Sequence, residues 1–306
     1  PKPSSAASDV YKRQILGALG FSFKAILVKQ GYRYGVDPMT LLALRMLYAL
    51  PFFMVMALHA SRRAQRPIER SDWFPLLLIG FFGYYLSSYT DFLGLQYISA
   101  GLERVILYTY PSLVVLLTAV NTRRPPQRQL LLSLMVCSAG VGLAVWHDVQ
   151  IASRNLTLGV SLVMVSALSF AVYMWRCGPS IQRLGAARVT AWATGSACIM
   201  VLTQFVMLRP IADLWSQPWQ VQACGLGMAI FCTVLPIWLN ANAVQRLGAS
   251  RTAIVSTLGP VFTLFLAWAV LGEAISWRML VGAALVMAGV HRIARTPIAS
   301  PDSVRN

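Results

Sequence analysis

Five charged residues, Lys24, Arg45, Asp91, Glu103 and Arg104, stand inside stretches that are otherwise apolar. Hydrocarbon solvates a charge poorly, so such residues pair with one another or line a polar path. Asp91 and Arg104 are equidistant from the turn signalled by Tyr97-Ile98, on two runs that must be antiparallel. Equal depth on adjacent helices predicts an Asp91–Arg104 ion pair, joined by Glu103, Arg45 or Lys24. At a rise of 1.5 Å per residue, all five charges lie roughly 8–12 Å below the same end of their helices. A movable closure and a static brace would both use such a pair, and long Lys and Arg chains can also snorkel to the interface.

A second polar group lies in the same run as Asp91. Tyr84, Tyr85, Ser87, Ser88, Tyr89 and Thr90 make that segment too polar to face lipid all round, and Pro236, Trp238, Asn240 and Asn242 form its counterpart further on. The candidate binding residues are Tyr85, Ser88, Tyr89, Tyr108, Tyr173, Trp175, Trp238 and Asn240. Lining a cavity and hydrogen bonding between helices both explain such positions. Interfacial belts account instead for Trp73, Trp146, Trp215, Trp219 and Trp277, near span ends. Aromatic walls with a few amides suit a hydrophobic or aromatic zwitterion, and other small organic molecules almost as well.

Other chemistries lack their residues. Cys137, Cys177, Cys198, Cys224 and Cys232 form no Cys-x-x-Cys pair and read as buried, inert thiols. His59, His147 and His291 fall at helix ends, apart in sequence, so no metal site is expected. No constellation for acid–base or nucleophilic catalysis is apparent, nor a phosphate-binding Gly-rich motif, so no cofactor is expected. A membrane-embedded enzyme or a non-transporting membrane subunit remains the alternative class.

The elements that must position these residues are membrane helices. Of 306 residues, 57% are hydrophobic and 12% charged, about half the charge of a soluble domain. Apolar stretches long enough for a bilayer, about 20 residues each, are predicted at 15–30, 38–59, 73–95, 98–120, 129–146, 156–176, 188–208, 219–239, 250–271 and 277–294. A spanning segment must satisfy its own backbone, which favours an all-α integral membrane fold of ten transmembrane helices. The net charge of +16 is parcelled among loops, which argues against nucleic acid and for the positive-inside rule. Arg62, Arg63, Arg66, Arg70, Arg123, Arg124, Arg128, Arg176, Arg183, Arg188, Arg246 and Arg251 crowd one side, leaving Lys29, Arg33, Arg154, Arg209 and Arg278 on the other. Both termini are therefore expected in the cytoplasm.

A shift of about 149 residues lays Gln96 on Gln245, Ala100 on Ala249, Pro111 on Pro260 and Ala139-Gly140-Val141 on Ala288-Gly289-Val290. Two five-helix units follow, 15–150 and 151–296, with 297–306 as a cytoplasmic tail. An odd number of crossings inverts the second unit, a plan used for alternating access around a midplane site. Pro111 and Pro260 fall mid-span in matching helices and are candidate hinges. Residues 1–14 read as a non-native tail like translated adapter sequence, so the fold is expected to begin near Ile15.

Gly94-Leu95-Gln96-Tyr97-Ile98-Ser99-Ala100-Gly101-Leu102-Glu103-Arg104, leading to Tyr110-Pro111, resembles the EamA-type branch of the drug/metabolite transporter superfamily. Gly35-Val36-Asp37-Pro38 with Leu44-Arg45-Met46, and Leu271-Gly272-Glu273, carry the same resemblance, which covers Phe21 to Arg295. It implies a ten-helix carrier of the bacterial inner membrane with a central cavity, exporting a small metabolite such as an amino acid. Glu273 has no acidic counterpart in the first repeat, where Arg124 stands, and is expected to hold a helix end rather than to take part in transport.

Overall fold

The computed structural model describes residues 5–64, 66–123, 128–151, 155–237, 239 and 259–295. Among them every regular element is helical. The helices are α1 (Ser5–Arg33), α2 (Pro38–Arg62), α3 over 70–94, α4 (Ala100–Thr122), α5 (Arg128–Ile151), α6 (Leu156–Leu184), α7 (Ala186–Leu208), α8 (Trp219–Ile237), α9 (Gly259–Leu271) and α10 (Trp277–Arg295). A single turn, Ala212–Trp215, lies between α7 and α8. Of these, α2, α4, α6, α7 and α8 are long and apolar enough to cross a membrane; α9 and the Leu131–Trp146 stretch of α5 are shorter apolar helices. Phe74, Val120, Met207 and Phe231 are among the large apolar side chains on the outer surface. The protein is an all-α integral membrane protein, and lipid is the solvent that tolerates that surface.

Local chemistry sets the helix starts. Gly35, at φ +81°, turns the chain out of α1, and Pro38 then opens α2 where a missing N–H costs nothing. The Asp37 carboxylate caps α2 by accepting from Thr40 N at 3.1 Å and Thr40 Oγ1 at 2.6 Å. Ser99 caps α4 by accepting from Leu102 N at 3.1 Å. Asp148 at the end of α5 in turn accepts from Ser99 N and Ser99 Oγ, each at 2.9 Å.

The helices depart from the expected spans in α6, α1 and α4. α6 continues past residue 176 through Pro179 to Leu184 and stops at Gly185, φ +85°. A proline deletes one ladder bond only, and the last turns of α6 are tied down by Arg183, 2.8 Å from Glu69 and 3.2 Å from Asp72. α1 begins at Ser5, so its helix runs back through most of the segment set aside at 1–14. In α4 the helix breaks at Tyr108 and Thr109 and resumes at Tyr110–Thr122, immediately before the ring of Pro111. The chain before Gly259, and with it the expected kink at Pro260, lies outside the described residues.

The packing is reciprocal. α2 packs on α7 and α5 on α10, while α1 packs on α8 and α9 much as α6 packs on α3 and α4. α3 carries a π-helical stretch at Phe81–Leu86, and α8 carries one at Ile230–Val234, starting 149 positions later. These wider turns leave carbonyls outside the α-helical ladder. Ser169 Oγ donates to the Phe82 carbonyl at 2.7 Å. The matching Phe231 carbonyl lies against Gly20, 149 positions before Ser169, where a Cβ would not fit. Likewise a Cβ on Gly140 would come within 2.6 Å of the Gly282 carbonyl, and one on Gly289 within 2.9 Å of the Ser133 carbonyl. Adding and subtracting 149 converts the first of these contacts into the second.

Candidate functional site

The charged residues meet where α1, α3, α4 and α9 come together. Lys24 is nine residues from the end of α1, and its Nζ lies 2.6 Å from Asp91 Oδ2 and 3.0 Å from Glu103 Oε1. Both carboxylates are almost fully buried, with side-chain exposures of 2% and 0%. One ammonium therefore bridges α1 to both α3 and α4. Arg104 Nε is 3.8 Å from Glu103 Oε2 and donates to Thr263 Oγ1 at 3.1 Å, while Nη2 donates to the Phe21 carbonyl at 2.7 Å. Beside it, Ser22 Oγ donates to the Gly259 carbonyl at 3.0 Å.

The expected direct Asp91–Arg104 pair is not the arrangement found. Lys24 takes the position next to Asp91, and Arg104 turns toward Glu103 and α9. Depth does not specify azimuth: Asp91 and Arg104 stand at equal sequence distance from the turn at Tyr97-Ile98, yet α1 supplies the ammonium that Asp91 faces. Arg45 lies apart from the carboxylates. Its Nε donates to Thr233 Oγ1 on α8 at 3.0 Å, and its guanidinium carbon lies 5.6 Å from the centroid of the Phe92 ring.

The helix ends near Gln96 add a second set of links. Glu273, just past α9, accepts from Ala100 N at 3.0 Å and Gly101 N at 3.4 Å at the start of α4. The expectation that it holds a helix end is met, and the helix it holds belongs to the other half of the chain. Arg33 Nη2 donates to the Leu271 carbonyl at 2.6 Å. Lys29, Tyr32, Arg33, Leu95, Gln96, Leu271 and Glu273 line a cavity of about 350 Å³ at this end. Opposite, buried Arg188 donates to the Leu184 carbonyl at 3.0 Å and the Arg66 carbonyl at 2.7 Å.

The aromatic candidates separate into two groups. Tyr85 and Tyr89 are stacked with centroids 6.5 Å apart, Phe81 extends the row, and Tyr85 OH donates to Gln204 Oε1 at 3.1 Å. Ser88 is half-buried between them in sequence. Tyr173 instead fills the α3–α6 contact, its hydroxyl 3.3 Å from that of Tyr84 and its ring packed where Gly83 leaves room. Trp175 is half-buried beneath the Arg176 guanidinium, 4.7 Å away. The Tyr108 hydroxyl lies against Gly259. Trp238 and Asn240 lie outside the described residues. Thr233, Thr263 and Gln204 went unnoticed in the sequence, because a hydroxyl or amide at ordinary helical spacing carries no sign of a partner more than a hundred residues away.

All five cysteines are buried and unbridged, and among the described residues no group of His, Cys, Asp or Glu could hold a metal ion. What the junction can do is hold or release: the Lys24 bridge ties three helices of the first half together, and the Arg104–Thr263, Ser22–Gly259 and Glu273 bonds beside it tie them to the second half.

Known proteins share this plan. The EamA-like transporter family matches twice, at residues 14–146 and 157–294. An uncharacterized transporter of Bacillus subtilis (strain 168), YcbK, is 28% identical over 276 residues, covering 88% of this chain and 87% of that protein. An S-adenosylmethionine/S-adenosylhomocysteine transporter of Chlamydia trachomatis serovar L2 is 23% identical over 245 residues, covering 76% of this chain and 73% of the other. A protein of known crystal structure has a similar fold, with a TM-score of 0.62 at 15% identity over 94% of this chain and 97% of its own.

Proposed function

Because the chain belongs to the EamA-like transporter family, we propose that it exports a small organic metabolite by alternating access between two inverted five-helix repeats. The repeats are 15–150 and 151–296, giving ten crossings of the bacterial inner membrane with both termini in the cytoplasm. The reciprocity of the packing carries this reading. π-helical stretches 149 positions apart, and glycine contacts that interconvert under the same shift, are what two copies of one unit related by a pseudo-twofold axis produce. The family model also matches twice in tandem, once in each half of the chain.

The arginine-rich loops support an orientation with the Gln96 end outside the cell. The conformation described is then outward-closed, with the Lys24 bridge, the Arg104–Thr263 bond and the Glu273 cap sealing that end. The five charges of the junction belong to the first repeat and do not recur in the second: Asn240 and Ala253 stand where Asp91 and Arg104 would be repeated. The seal is accordingly one-sided. Tyr85, Ser88, Tyr89, Tyr108, Trp238 and Asn240 supply the substrate path, Tyr173 and Trp175 its flanking wall, and Pro111 and Pro260 the hinges.

Counterflow by the purified protein in liposomes tests this, using labelled amino acids, nucleosides and organic cations with and without a proton gradient. Saturable exchange of at least one compound is expected, absent from protein-free vesicles. Failure of the whole panel to exchange would count against transport.

A further inference from the structure

The charges of the junction do not balance. Lys24, Arg45 and Arg104 contribute three cations and Asp91 and Glu103 two carboxylates. Lys24 touches both carboxylates and Arg104 touches Glu103. Arg45 touches neither: its Nε donates to Thr233 and its guanidinium lies over the Phe92 ring. Among the described residues its two terminal amino groups have no acceptor, although the residue is only 8% exposed. The acids whose side chains fall outside the described set, Asp9 and Asp302, belong to the terminal segments of the sequence.

Guanidinium does not shed its proton in proteins, so Arg45 cannot neutralise itself. A buried charge is retained only where a counter-charge or a set of hydrogen bonds meets it. We propose that Arg45 receives the carboxylate of the substrate on its two terminal amino groups. A planar fork matches a carboxylate in bidentate fashion, and Phe92, whose ring lies 5.6 Å from the guanidinium carbon, limits how that fork can turn. Tyr89, one turn before Phe92 on α3, and Tyr85, stacked on it, continue the aromatic row along the same helix. The inference rests on the transport reading and narrows its substrates to compounds bearing a carboxylate.

Two matched sets of compounds test it: phenylalanine, 3-phenylpropionate and phenethylamine, then leucine, 4-methylpentanoate and 3-methylbutylamine. Binding is read from the thermal stability of the full chain in detergent, and transport separately from counterflow in liposomes. Members with a carboxylate should stabilise the wild type and the two amines should not. Arg45→Gln, which keeps a donor near Thr233, should weaken carboxylate binding on the order of 10- to 100-fold, the value of hydrogen bonds to a charged group. Arg45→Lys should recover part of it. Amines binding as tightly as acids, carboxylate affinity unchanged in Arg45→Gln, or no carboxylate binding at all would overturn the anchor. The wild-type comparison decides the matter even where a variant fails to fold. Carboxylates that bind without counterflow would support the anchor and count against transport, whereas counterflow confined to the amines would do the reverse.

Discussion

Lys24→Met is expected to lower transport on the order of 100-fold and to be the most damaging single change in the charged junction. The substitution keeps the length of the side chain but leaves Asp91 and Glu103, with side-chain exposures of 2% and 0%, without their shared ammonium. Stranding a buried carboxylate costs roughly 3–5 kcal/mol, and every 1.4 kcal/mol is about a factor of ten. Asp91→Asn should be milder, because Lys24 still has Glu103 at 3.0 Å. The double variant Lys24→Met with Asp91→Asn should recover much of the stability, since Glu103 retains Arg104 at 3.8 Å. Thermal unfolding in detergent and counterflow in liposomes, measured side by side, separate a gate from a brace. Stability restored while transport stays low means that the bridge must form and break. Recovery of both in parallel would reduce it to a brace.

Glu273→Ala should loosen the start of α4 without unfolding the protein. The carboxylate receives two N–H groups, from Ala100 and Gly101, and losing a cap of this kind costs about 1–2 kcal/mol. Because the contact joins α4 to the other half of the chain, the proposed gate puts the cost on the outward-closed state alone. The population of that state relative to its open counterpart should then fall roughly 5- to 30-fold. Hydrogen exchange of the amides at Ala100 and Gly101 should accelerate by a similar factor, while amides in the middle of α2 and α7 keep their protection. Unchanged exchange at the start of α4 would show that Glu273 contributes no closing energy.

How much of this was legible beforehand depends on the kind of interaction. Helix positions were, since hydrocarbon demands continuous apolar stretches and Asp37-Pro38 and Ser99 announce their caps. That Lys24, Asp91, Glu103 and Arg104 would gather was legible too, because similar spacing from the helix turns follows from helix rise and alternating direction. Azimuth was not: whether Asp91 faces Lys24 or Arg104 depends on how three helices rotate about their axes, which single-helix spacing leaves undetermined. The Arg45–Thr233 and Arg104–Thr263 bonds span 188 and 159 positions, and neither threonine differs locally from those that bond only to their own helix, such as Thr118. The π-helical stretches Phe-Phe-Gly-Tyr-Tyr-Leu and Ile-Phe-Cys-Thr-Val share almost no residues at matched positions, so only the backbone displays their equivalence. The continuation of α6 through Pro179 was missed because hydropathy falls where Arg176 and Arg183 enter, although the helix itself persists.

The claim on which the rest depends is that the α1–α9 seam beside the Lys24 bridge opens toward the outside. Ser22→Cys reports on it directly, since residue 22 is fully buried and its hydroxyl donates to the Gly259 carbonyl within that seam. The five native cysteines are buried, so the parent protein provides the background signal. A membrane-impermeant maleimide applied outside right-side-out vesicles should label Ser22→Cys slowly, and several-fold faster once Lys24→Met or Glu273→Ala is added. The same reagent applied from the cytoplasmic side should show the opposite trend. Labelling from outside that is fast in the parent background, or that neither added substitution accelerates, would contradict a gate at this end of the molecule.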